Sequence, residues 1–358
     1  MHTSRTPKLT KRNKALFFVI SCLILGVIFV ISAEIMVRLK GVRPWQTPDL
    51  GIQVSPGGRF FSKHPSLGYA HIPGHFTVTL GTGYAFQVTH LPTTLRITHA
   101  ADGYETPRAK EEIWLFGCSF THGWSLNDAQ TYPWLLQERF PEYEVVNFGV
   151  SGYGTIHSLL QFRDALAWKR PKVAVLAYAD AHDGRNTFLR NRRKEIAPWN
   201  QLGPLRQPYA RRDGDGTLRY AMAEVEYREF PLMRHMALAH FLESKYNRYE
   251  DRLAQSHRVS EALVEEMGRL AKQHAVAFVV AGIVGGRAMH KMLDFAQEHG
   301  IPRVDISVNL QIQEHTNAPH DGHPSAMANK GYADKLEAFL KAEILSSTLS
   351  IYPNLRHN

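Results

Sequence analysis

The feature that most constrains the fold is a regular alternation of short apolar runs with helical patterns, which begins at Glu112. The clearest run is Val173–Tyr178, in which every residue is apolar or aromatic. A strand that is apolar throughout is typical of a parallel sheet buried on both faces. Further runs lie at 113–116, 143–148, 276–281 and 304–306. This alternation predicts an α/β fold with a parallel central sheet.

Helices are predicted between and after these runs, from near Pro133 and over 156–168, 232–254, 258–274, 286–298 and 325–344. Ser325 is the predicted N-cap of the last helix, because a serine hydroxyl can accept a hydrogen bond from the first turn. Residues 184–230 break the rhythm with proline, glycine and many arginines, which predicts an insertion.

Residues 41–110 differ from the rest of the chain. Strand-forming residues recur at 75–80, 84–89 and 95–98, with glycine and proline between them. This pattern predicts a small antiparallel β-rich segment, either as a separate lobe or as an extension of one edge of the main sheet.

The stretch from Ala15 to Ala33 is an unbroken run of apolar or small residues. As a helix it spans roughly 28 Å at about 1.5 Å per residue, close to the hydrocarbon thickness of a bilayer. The run is preceded by cations without an acidic residue among them: Arg5, Lys8, Lys11, Arg12 and Lys14. Fewer cations, Arg38 and Lys40, follow it, so we predict a cytoplasmic N-terminus and an extracytoplasmic remainder. A signal peptide cleaved near Ser32-Ala33 is the rival interpretation.

The chain therefore has five predicted parts: a cytoplasmic basic tail (1–14), a transmembrane anchor (15–37), the β-rich segment (41–110), an α/β domain (111–346) with the insertion at about 184–230, and a tail (347–358). Its 358 residues suit one large domain with insertions. Two cysteines, Cys22 and Cys118, cannot form a disulfide framework. The net charge of +9 comes partly from the basic leader, and nothing in the sequence indicates nucleic-acid binding.

A candidate nucleophile follows the first apolar run. Gly117-Cys118-Ser119-Phe120-Thr121-His122-Gly123 comes directly after Glu112–Phe116. A serine in a tight turn at the end of a strand has an exposed hydroxyl, and nearby backbone N–H groups can face a developing oxyanion. Cys118 is the alternative nucleophile, although a small apolar filler behind the turn is the simpler interpretation. Near the C-terminus, Asp321-Gly322-His323-Pro324-Ser325 supplies a carboxylate and an imidazole, which completes a candidate Ser-His-Asp set.

Three motifs, in this order, resemble the SGNH/GDSL hydrolase superfamily. Gly117–Thr121 is similar to its first block, Asn147-Phe148-Gly149-Val150-Ser151-Gly152 to its second and Asp321–Pro324 to its fifth. The resemblance covers roughly 112–183 and 275–345, and leaves out the β-rich segment and the insertion.

The resemblance implies a flavodoxin-like three-layer α/β/α sandwich and a serine esterase mechanism. Ser119 would attack an ester carbonyl, His323 would act as general base and then acid, and Asp321 would orient the imidazole. The backbone N–H groups of Ser119 and Gly152 would bind the oxyanion. No cofactor and no metal are implied.

Two departures from the family pattern matter. The family usually spaces its last pair Asp-x-x-His, whereas one residue separates Asp321 from His323; related polysaccharide O-acetylation enzymes also show an Asp-x-His pair, earlier in the chain than their serine. The third block normally ends in an asparagine that completes the oxyanion hole. Here Asp180-Ala181-His182-Asp183 stands in its place, so either His182 or Asn186 is the expected donor.

Simpler interpretations stay open for several residues. Asp321 could only cap the last helix, and His122 and His320, beside the motifs, could be packing or surface residues. A metal site from Asp180, His182 and His320 has no close-spaced ligand set to support it. The arginines at 185–212 form either a solvated face or a surface for an anionic polysaccharide or lipid headgroups.

The sequence thus predicts a single-pass protein of the inner membrane with a periplasmic serine esterase domain. Its expected partners are the membrane and an acyl-ester substrate, with O-acetyl groups on cell-envelope glycans or lipids as candidates, and either hydrolysis or transfer as the outcome. A non-catalytic glycan-binding or assembly protein on the same fold is the alternative.

Overall fold

The structure, a computed structural model, describes residues 10–47, 51–100 and 110–346, with only the backbone of Trp199. Most of the predicted basic tail, the C-terminal tail 347–358 and parts of the β-rich segment lie outside these residues. Within them the helices are α1 (Lys11–Leu39), α2 (Ser119–His122), α3 (Tyr132–Arg139), α4 (Thr155–Leu166), α5 (Ala181–Thr187), α6 (Arg190–Ile196), α7 (Ala237–Leu253), α8 (Ser256–Gln273), α9 (Arg287–Glu298) and α10 (Ala326–Phe339). The strands are β1 (Gln53–Ser55), β2 (Phe61–His64), β3 (Gly68–His71), β4 (Gly74–Thr79), β5 (Ala85–His90), β6 (Glu112–Phe116), β7 (Glu144–Asn147), β8 (Val173–Tyr178), β9 (Arg206–Arg212), β10 (Leu218–Glu224), β11 (Ala277–Val284) and β12 (Arg303–Val308).

The central sheet has five strands in the order β12-β11-β8-β6-β7, and every neighbouring pair is parallel. This is the doubly wound order of flavodoxin-like folds, in which ligands bind at the carboxyl ends of the strands where the strand order reverses. Here that point lies between β6 and β8. The predicted parallel α/β fold is confirmed.

Helices cover both faces of this sheet. On one face, α4, α8 and α9 pack side chains such as Phe162, Val264 and Met292 against Trp114 and Leu176. On the other face, α3 and α10 pack against alternate strand residues. Each residue of β8 is buried, as a strand between two helical layers requires. The side chain of Ser325 accepts a hydrogen bond from the Ala328 N–H at 3.3 Å, which confirms it as the N-cap of α10.

The β-rich segment extends one edge of the sheet. Strands β1, β4 and β5 form an antiparallel sheet, and β2 pairs with β3. The predicted strand at 95–98 is wrong: only isolated bridges form there, from Arg96 to His90 and to Asn147 at the end of β7. The Arg96 side chain is buried there, and its guanidinium donates hydrogen bonds to Asp128 and to the carbonyls of residues 87, 122, 123 and 126.

The region predicted as an insertion contains regular structure. It holds most of α5, then α6 and the antiparallel hairpin β9–β10. The hairpin lacks a clear apolar alternation in sequence, because both strands carry arginines. Of the two strands, only β9 contains buried residues.

Contacts group the chain into two units: Met1–Pro48 with Arg228–Tyr249, and Asp49–Tyr227 with Glu250–Asn358. The predicted α/β domain over 111–346 therefore includes a stretch, Arg228–Tyr249, that groups with the N-terminal helix. In the first unit, α1 is a helix long and apolar enough to cross a membrane, with a mean hydropathy of 2.9 over its most apolar window. A membrane anchor and a signal sequence both meet this description.

Candidate active site

Ser119 lies where β6 ends, at the switch point of the sheet. Gly117 and Cys118 make the turn, and Ser119 is the first residue of the short helix α2. A Cβ at Gly117 would lie 2.2 Å from the Thr121 side-chain oxygen, so the turn requires a glycine there. Ser119 is 6% exposed and its side chain reaches the wall of a cavity.

The loop before α10 brings an imidazole and a carboxylate to this serine. The Nε2 of His323 lies 3.0 Å from the Ser119 Oγ, and its Nδ1 lies 2.6 Å from Asp321 Oδ1. The same carboxylate oxygen accepts a hydrogen bond from the His323 backbone N–H at 2.8 Å, so a turn closes over the single intervening residue. The structure thus brings together Ser119, His323 and Asp321, and the shortened Asp-x-His spacing still allows the bond.

Trp124 holds the other oxygen of Asp321. Its indole N–H donates to Asp321 Oδ2 at 2.6 Å. Burial opposes ionisation of Asp321, but hydrogen bonds from His323 and Trp124 bring the pKa of the carboxyl below its ordinary value. The carboxylate is therefore charged at neutral pH. The sequence offers only a weak signal for Trp124: it directly follows Gly123, which ends the nucleophile motif.

Gly152 lies after β7 and borders the same cavity as Ser119. Its φ is +85°, and an added Cβ would lie 2.5 Å from the Tyr69 hydroxyl and 2.9 Å from Arg192 Nη2. Tyr69 donates to the Ser151 carbonyl at 2.6 Å, which fixes the loop. In the part of the chain that the structure describes, the backbone N–H groups of Ser119 and Gly152 have no hydrogen-bond acceptor. Both donors are thus available to an oxyanion.

The two expected third donors do not line this cavity. His182 is fully buried, and its Nδ1 lies 3.2 Å from the Thr155 hydroxyl. Asn186 accepts from the Ile156 N–H at 2.9 Å and donates to Ser260 at 2.8 Å, so its amide stabilises the start of α4. The prediction that either side chain completes the oxyanion hole does not fit this placement.

The other candidates also have separate positions. Cys118 is buried at the N-cap of α2, while His323 contacts the neighbouring Ser119. Asp180 accepts hydrogen bonds from the Met289 and Ala288 N–H groups at the start of α9. His320 stacks on Tyr84 at the cavity wall. Asp180, His182 and His320, the possible metal ligands in the sequence, therefore each contact a different partner rather than one another.

A cluster of three buried histidines, His71, His90 and His122, lies behind the nucleophile turn. Their ligand atoms lie within 4.8 Å of one another, and His90 Nε2 is 3.1 Å from His122 Nε2. The rings of His71 and His90 are stacked at 3.9 Å with an interplanar angle of 11°. Lone pairs in two nearly parallel planes do not converge on one ion, and the buried cation Arg96 is close enough to affect all three rings. We interpret the cluster as packed neutral imidazoles, because burial lowers the pKa of each ring.

The cavity beside Ser119 has a volume of about 1020 Å³. Its wall includes Ser119, Gly152 and His323 from the site, and Arg185 and Arg192 from the segment after β8. A space of this size accepts ligands considerably larger than an acetyl ester.

No family model matches this chain, and no curated protein matches it. Among solved structures it is similar to TesA (15% identity, TM-score 0.39), with 64% of this chain and 98% of that chain covered. It is also similar to a member of the lipolytic protein G-D-S-L family from Veillonella parvula, at 12% identity and a TM-score of 0.37, with 64% of this chain and 99% of that chain covered. A third match is the psychrotrophic esterase EstA from Pseudoalteromonas, at 12% identity and a TM-score of 0.37, with 65% of this chain and 97% of that chain covered. Likenesses at this level establish no activity for the chain.

The site itself carries the resemblance that the motifs indicate. A serine after the first strand of the sheet, a glycine after the second and an Asp-His loop before the last helix meet at one edge of a parallel sheet. In the order of its motifs and in the hydrogen-bonded series Ser119–His323–Asp321, this chain is similar to the SGNH/GDSL hydrolases.

Proposed function

We propose that this protein is a membrane-tethered serine esterase of the SGNH/GDSL type. One observation carries the proposal: the Ser119 Oγ and His323 Nε2 lie 3.0 Å apart, while His323 Nδ1 lies 2.6 Å from a carboxylate. A nucleophile within hydrogen-bond reach of a base, which a third group orients, is the arrangement that covalent ester cleavage needs.

The geometry supports a two-step reaction. The Ser119 hydroxyl gives its proton to His323 Nε2 as its oxygen attacks the ester carbonyl. The tetrahedral intermediate collapses when His323 returns this proton to the leaving alkoxide, which departs as the alcohol. A water molecule, or an acceptor hydroxyl, then attacks the acyl-enzyme with the same base, and Ser119 is regenerated.

Asp321 stabilises the imidazolium that forms in each step. Its hydrogen bond to Nδ1 also fixes the tautomer that leaves a lone pair on Nε2 facing Ser119. Trp124 keeps the carboxylate in this orientation.

The oxyanion would be bound by the N–H groups of Ser119 and Gly152, and each donor is worth about 3 kcal/mol of barrier. Neither of the two expected side chains, His182 and Asn186, lines the cavity, so neither takes the place of the asparagine of the family's third block. This gap is the observation that favours the alternative, a non-catalytic glycan-binding or assembly protein.

The substrate class we propose is a small acyl ester, such as an O-acetyl group, on a cell-envelope glycan or lipid. Hydrolysis and transfer differ only in whether water or another hydroxyl reaches the acyl-enzyme. Helix α1 supports membrane attachment, and the cations that precede its apolar run support a cytoplasmic N-terminus with a periplasmic esterase domain.

The experiment is turnover of 4-nitrophenyl acetate by the full chain in detergent micelles. We expect measurable activity that falls to background in Ser119→Ala and in His323→Ala. His299→Ala, which removes an exposed histidine at the end of α9, is the matched control and should keep full activity. Turnover that is unchanged in both site variants would refute the proposal, and folded wild-type protein without turnover would favour the non-catalytic alternative.

A further inference from the structure

The cavity that Ser119 borders has a cationic wall. Three arginines, Arg59, Arg185 and Arg192, line it, and its carboxylates are Glu195 and Asp321. Asp321 is engaged by His323 and Trp124, and Glu195 pairs with Arg192 at 3.2 Å. The positive charge of the wall is therefore only partly balanced.

Two of the guanidinium groups are held in place beside the oxyanion loop. Arg192 Nη2 donates to the Gly152 carbonyl at 2.8 Å, and Arg185 Nη1 donates to the Tyr153 carbonyl at 3.0 Å. Both side chains line the same cavity, and burial together with the charge of Arg185 lowers the pKa of Arg192. The rest of the described chain gives Arg185 no carboxylate partner, and its buried Nε has no hydrogen-bond acceptor.

Arg185 is half-buried and has no carboxylate partner among the described residues, and burial of such a cation is unfavourable unless an anion completes the site. A guanidinium presents a planar fork of N–H donors that matches a carboxylate or a phosphate. The cavity of about 1020 Å³ leaves room for several sugar rings beyond the acyl group. Its wall also includes the amide side chain of Gln201, which suits hydroxyl groups.

We infer that the substrate is an acylated acidic glycan, whose carboxylates bind Arg59, Arg185 and Arg192 while the ester lies at Ser119. This inference rests on the proposed esterase function and specifies its substrate class. It also gives Arg185 and Arg192, which follow β8, a role in substrate binding rather than only in contact with solvent.

The test compares an O-acetylated oligouronide with an O-acetylated neutral oligosaccharide of equal length, using the full chain and measuring released acetate. We expect kcat/KM to favour the acidic ester by about tenfold or more, the equivalent of at least 1.4 kcal/mol. Arg185→Gln and Arg59→Gln should bring this ratio toward one, and added salt should do the same. Arg219→Gln removes an exposed arginine outside the cavity and should leave the ratio unchanged. Equal kcat/KM for both esters in wild type would overturn the inference.

Binding separates this inference from the proposed function. Titration calorimetry with Ser119→Ala and a deacetylated oligouronide requires no turnover, and we expect binding that Arg185→Gln weakens. If neither ester is cleaved but this binding occurs, the acidic-glycan binding site holds and the esterase proposal fails. If both esters are cleaved equally and the oligouronide does not bind, the esterase proposal holds and the acidic-glycan inference fails. Stronger binding of soluble glycerol 3-phosphate than of the oligouronide, weakened by Arg185→Gln, would also refute it.

A second inference comes from α7 and is independent of the esterase. Leu242, Tyr246 and Tyr249 lie at helical spacing and are 53%, 48% and 58% exposed. The apolar stripe of a surface helix normally faces a protein core. Here the stripe faces outward.

The start of α7 is bonded to the end of α1. The Glu34 carboxylate accepts from the Ala237 and Leu238 N–H groups at 2.9 and 2.7 Å, which satisfies donors in the first turn of α7. Arg38 donates to the His235 carbonyl at 3.3 Å. Because α1 is the candidate membrane span, these bonds keep the start of α7 at the depth where that span leaves the hydrocarbon.

Exposed cations accompany the stripe. Lys245 and Arg248 lie on the same helix, where their heads can reach lipid phosphates while aromatic and leucine side chains enter the acyl boundary. We propose that the stripe of Leu242, Tyr246 and Tyr249 rests on the lipid surface from which α1 emerges.

The test uses the full chain in vesicles of phosphatidylethanolamine and phosphatidylglycerol, on a Cys22→Ser background because Cys22 is exposed and Cys118 is buried. A fluorophore is attached at Leu242→Cys, Tyr246→Cys or Tyr249→Cys, with Glu298→Cys on α9 as the control. Brominated lipids should quench the first three labels and not the fourth. Quenching of all four labels by aqueous iodide alone would overturn the proposal, as would stripe quenching that depends on protein concentration rather than on brominated lipid.

Discussion

The loops that follow β6 and β8 leave the same edge of the central sheet, but only one of them presents its motif side chain to the cavity. After β6, Ser119 lines the cavity and meets His323. After β8, His182 packs against Tyr178 and Thr155 and is fully buried. Asp180, in the same loop, accepts hydrogen bonds at the start of α9. A parallel sheet thus brings loops together, while local capping and packing decide which side chains reach a ligand.

The largest loss of activity should come from a substitution in the Asp321–His323 loop, which contacts Ser119. Asp321→Asn leaves the size of the side chain unchanged but removes the charge that stabilises the imidazolium and selects its tautomer. We expect kcat for aryl acetate to fall about 10⁴-fold. Steady-state kinetics measure this loss, and circular dichroism should show an intact fold. A loss below tenfold would mean that Asp321 does not assist His323 in catalysis.

Gly152→Ala tests whether the backbone N–H of Gly152 binds the oxyanion. Its φ of +85° and its closeness to Tyr69 leave no room for a methyl group, so the loop and its N–H must shift. We expect kcat to fall about 10²–10³-fold with a small change in KM, since the N–H acts on the transition state. Gly184→Ala is the control, because nothing lies within 4 Å of a Cβ at that position. Equal kinetics for the two variants would exclude Gly152 from the oxyanion hole.

These predictions also mark how far the sequence determines the site. Motif order and strand ends were enough to bring Ser119, Gly152 and the Asp321–His323 pair to one edge, because parallel strands share their carboxyl ends. The direction of His182 was not predictable, since it depends on packing between α4, α5 and β8. Trp124 and Tyr69 were missed for the same reason: each acts through a contact between segments that are distant in sequence.

The same limit applies to the fold. Uniformly apolar strands such as β8 are evident in the sequence, because both faces are buried. The hairpin β9–β10 is not evident, because its residues lack a regular apolar period. Helix α7 has a clear apolar stripe, but periodicity alone predicts that such a stripe faces a core.

Trp124→Phe should have a moderate effect. The ring still packs, but Asp321 loses the hydrogen bond from the indole N–H. One charge-assisted hydrogen bond is worth about 1.5–3 kcal/mol, so kcat should fall by roughly tenfold to a hundredfold. Without this donor the pKa of Asp321 should rise, so the variant should lose activity at a higher pH than wild type on acidification. A pH-rate profile identical to that of wild type would contradict this role.

The smallest effect on activity should come from the loop after β8. We expect His182→Gln to change kcat by less than about threefold, because the ring does not line the cavity. Its effect on acid stability should be larger. Burial lowers the pKa of His182 to about 3, from an ordinary value of 6.5.

Below pH 6.5, the ordinary pKa of histidine, His182 binds a proton in the unfolded chain but stays neutral in the native protein. The free energy of unfolding therefore falls as the pH falls. Each such histidine contributes up to about 1.4 kcal/mol per pH unit in this window. The difference in urea unfolding free energy between about pH 7 and pH 5 should therefore be smaller in His182→Gln than in wild type. An unchanged difference would show that the pKa of His182 is the same in the native and the unfolded chain.

Ser119 is the proposed nucleophile, and active-site labelling tests this role most directly. The full chain is treated with a fluorophosphonate, which forms a covalent bond with activated serines, and the modified peptide is identified by mass spectrometry. We predict a single adduct on Ser119 that His323→Ala abolishes. An adduct on another serine, or none on protein that cleaves aryl acetate, would contradict the account.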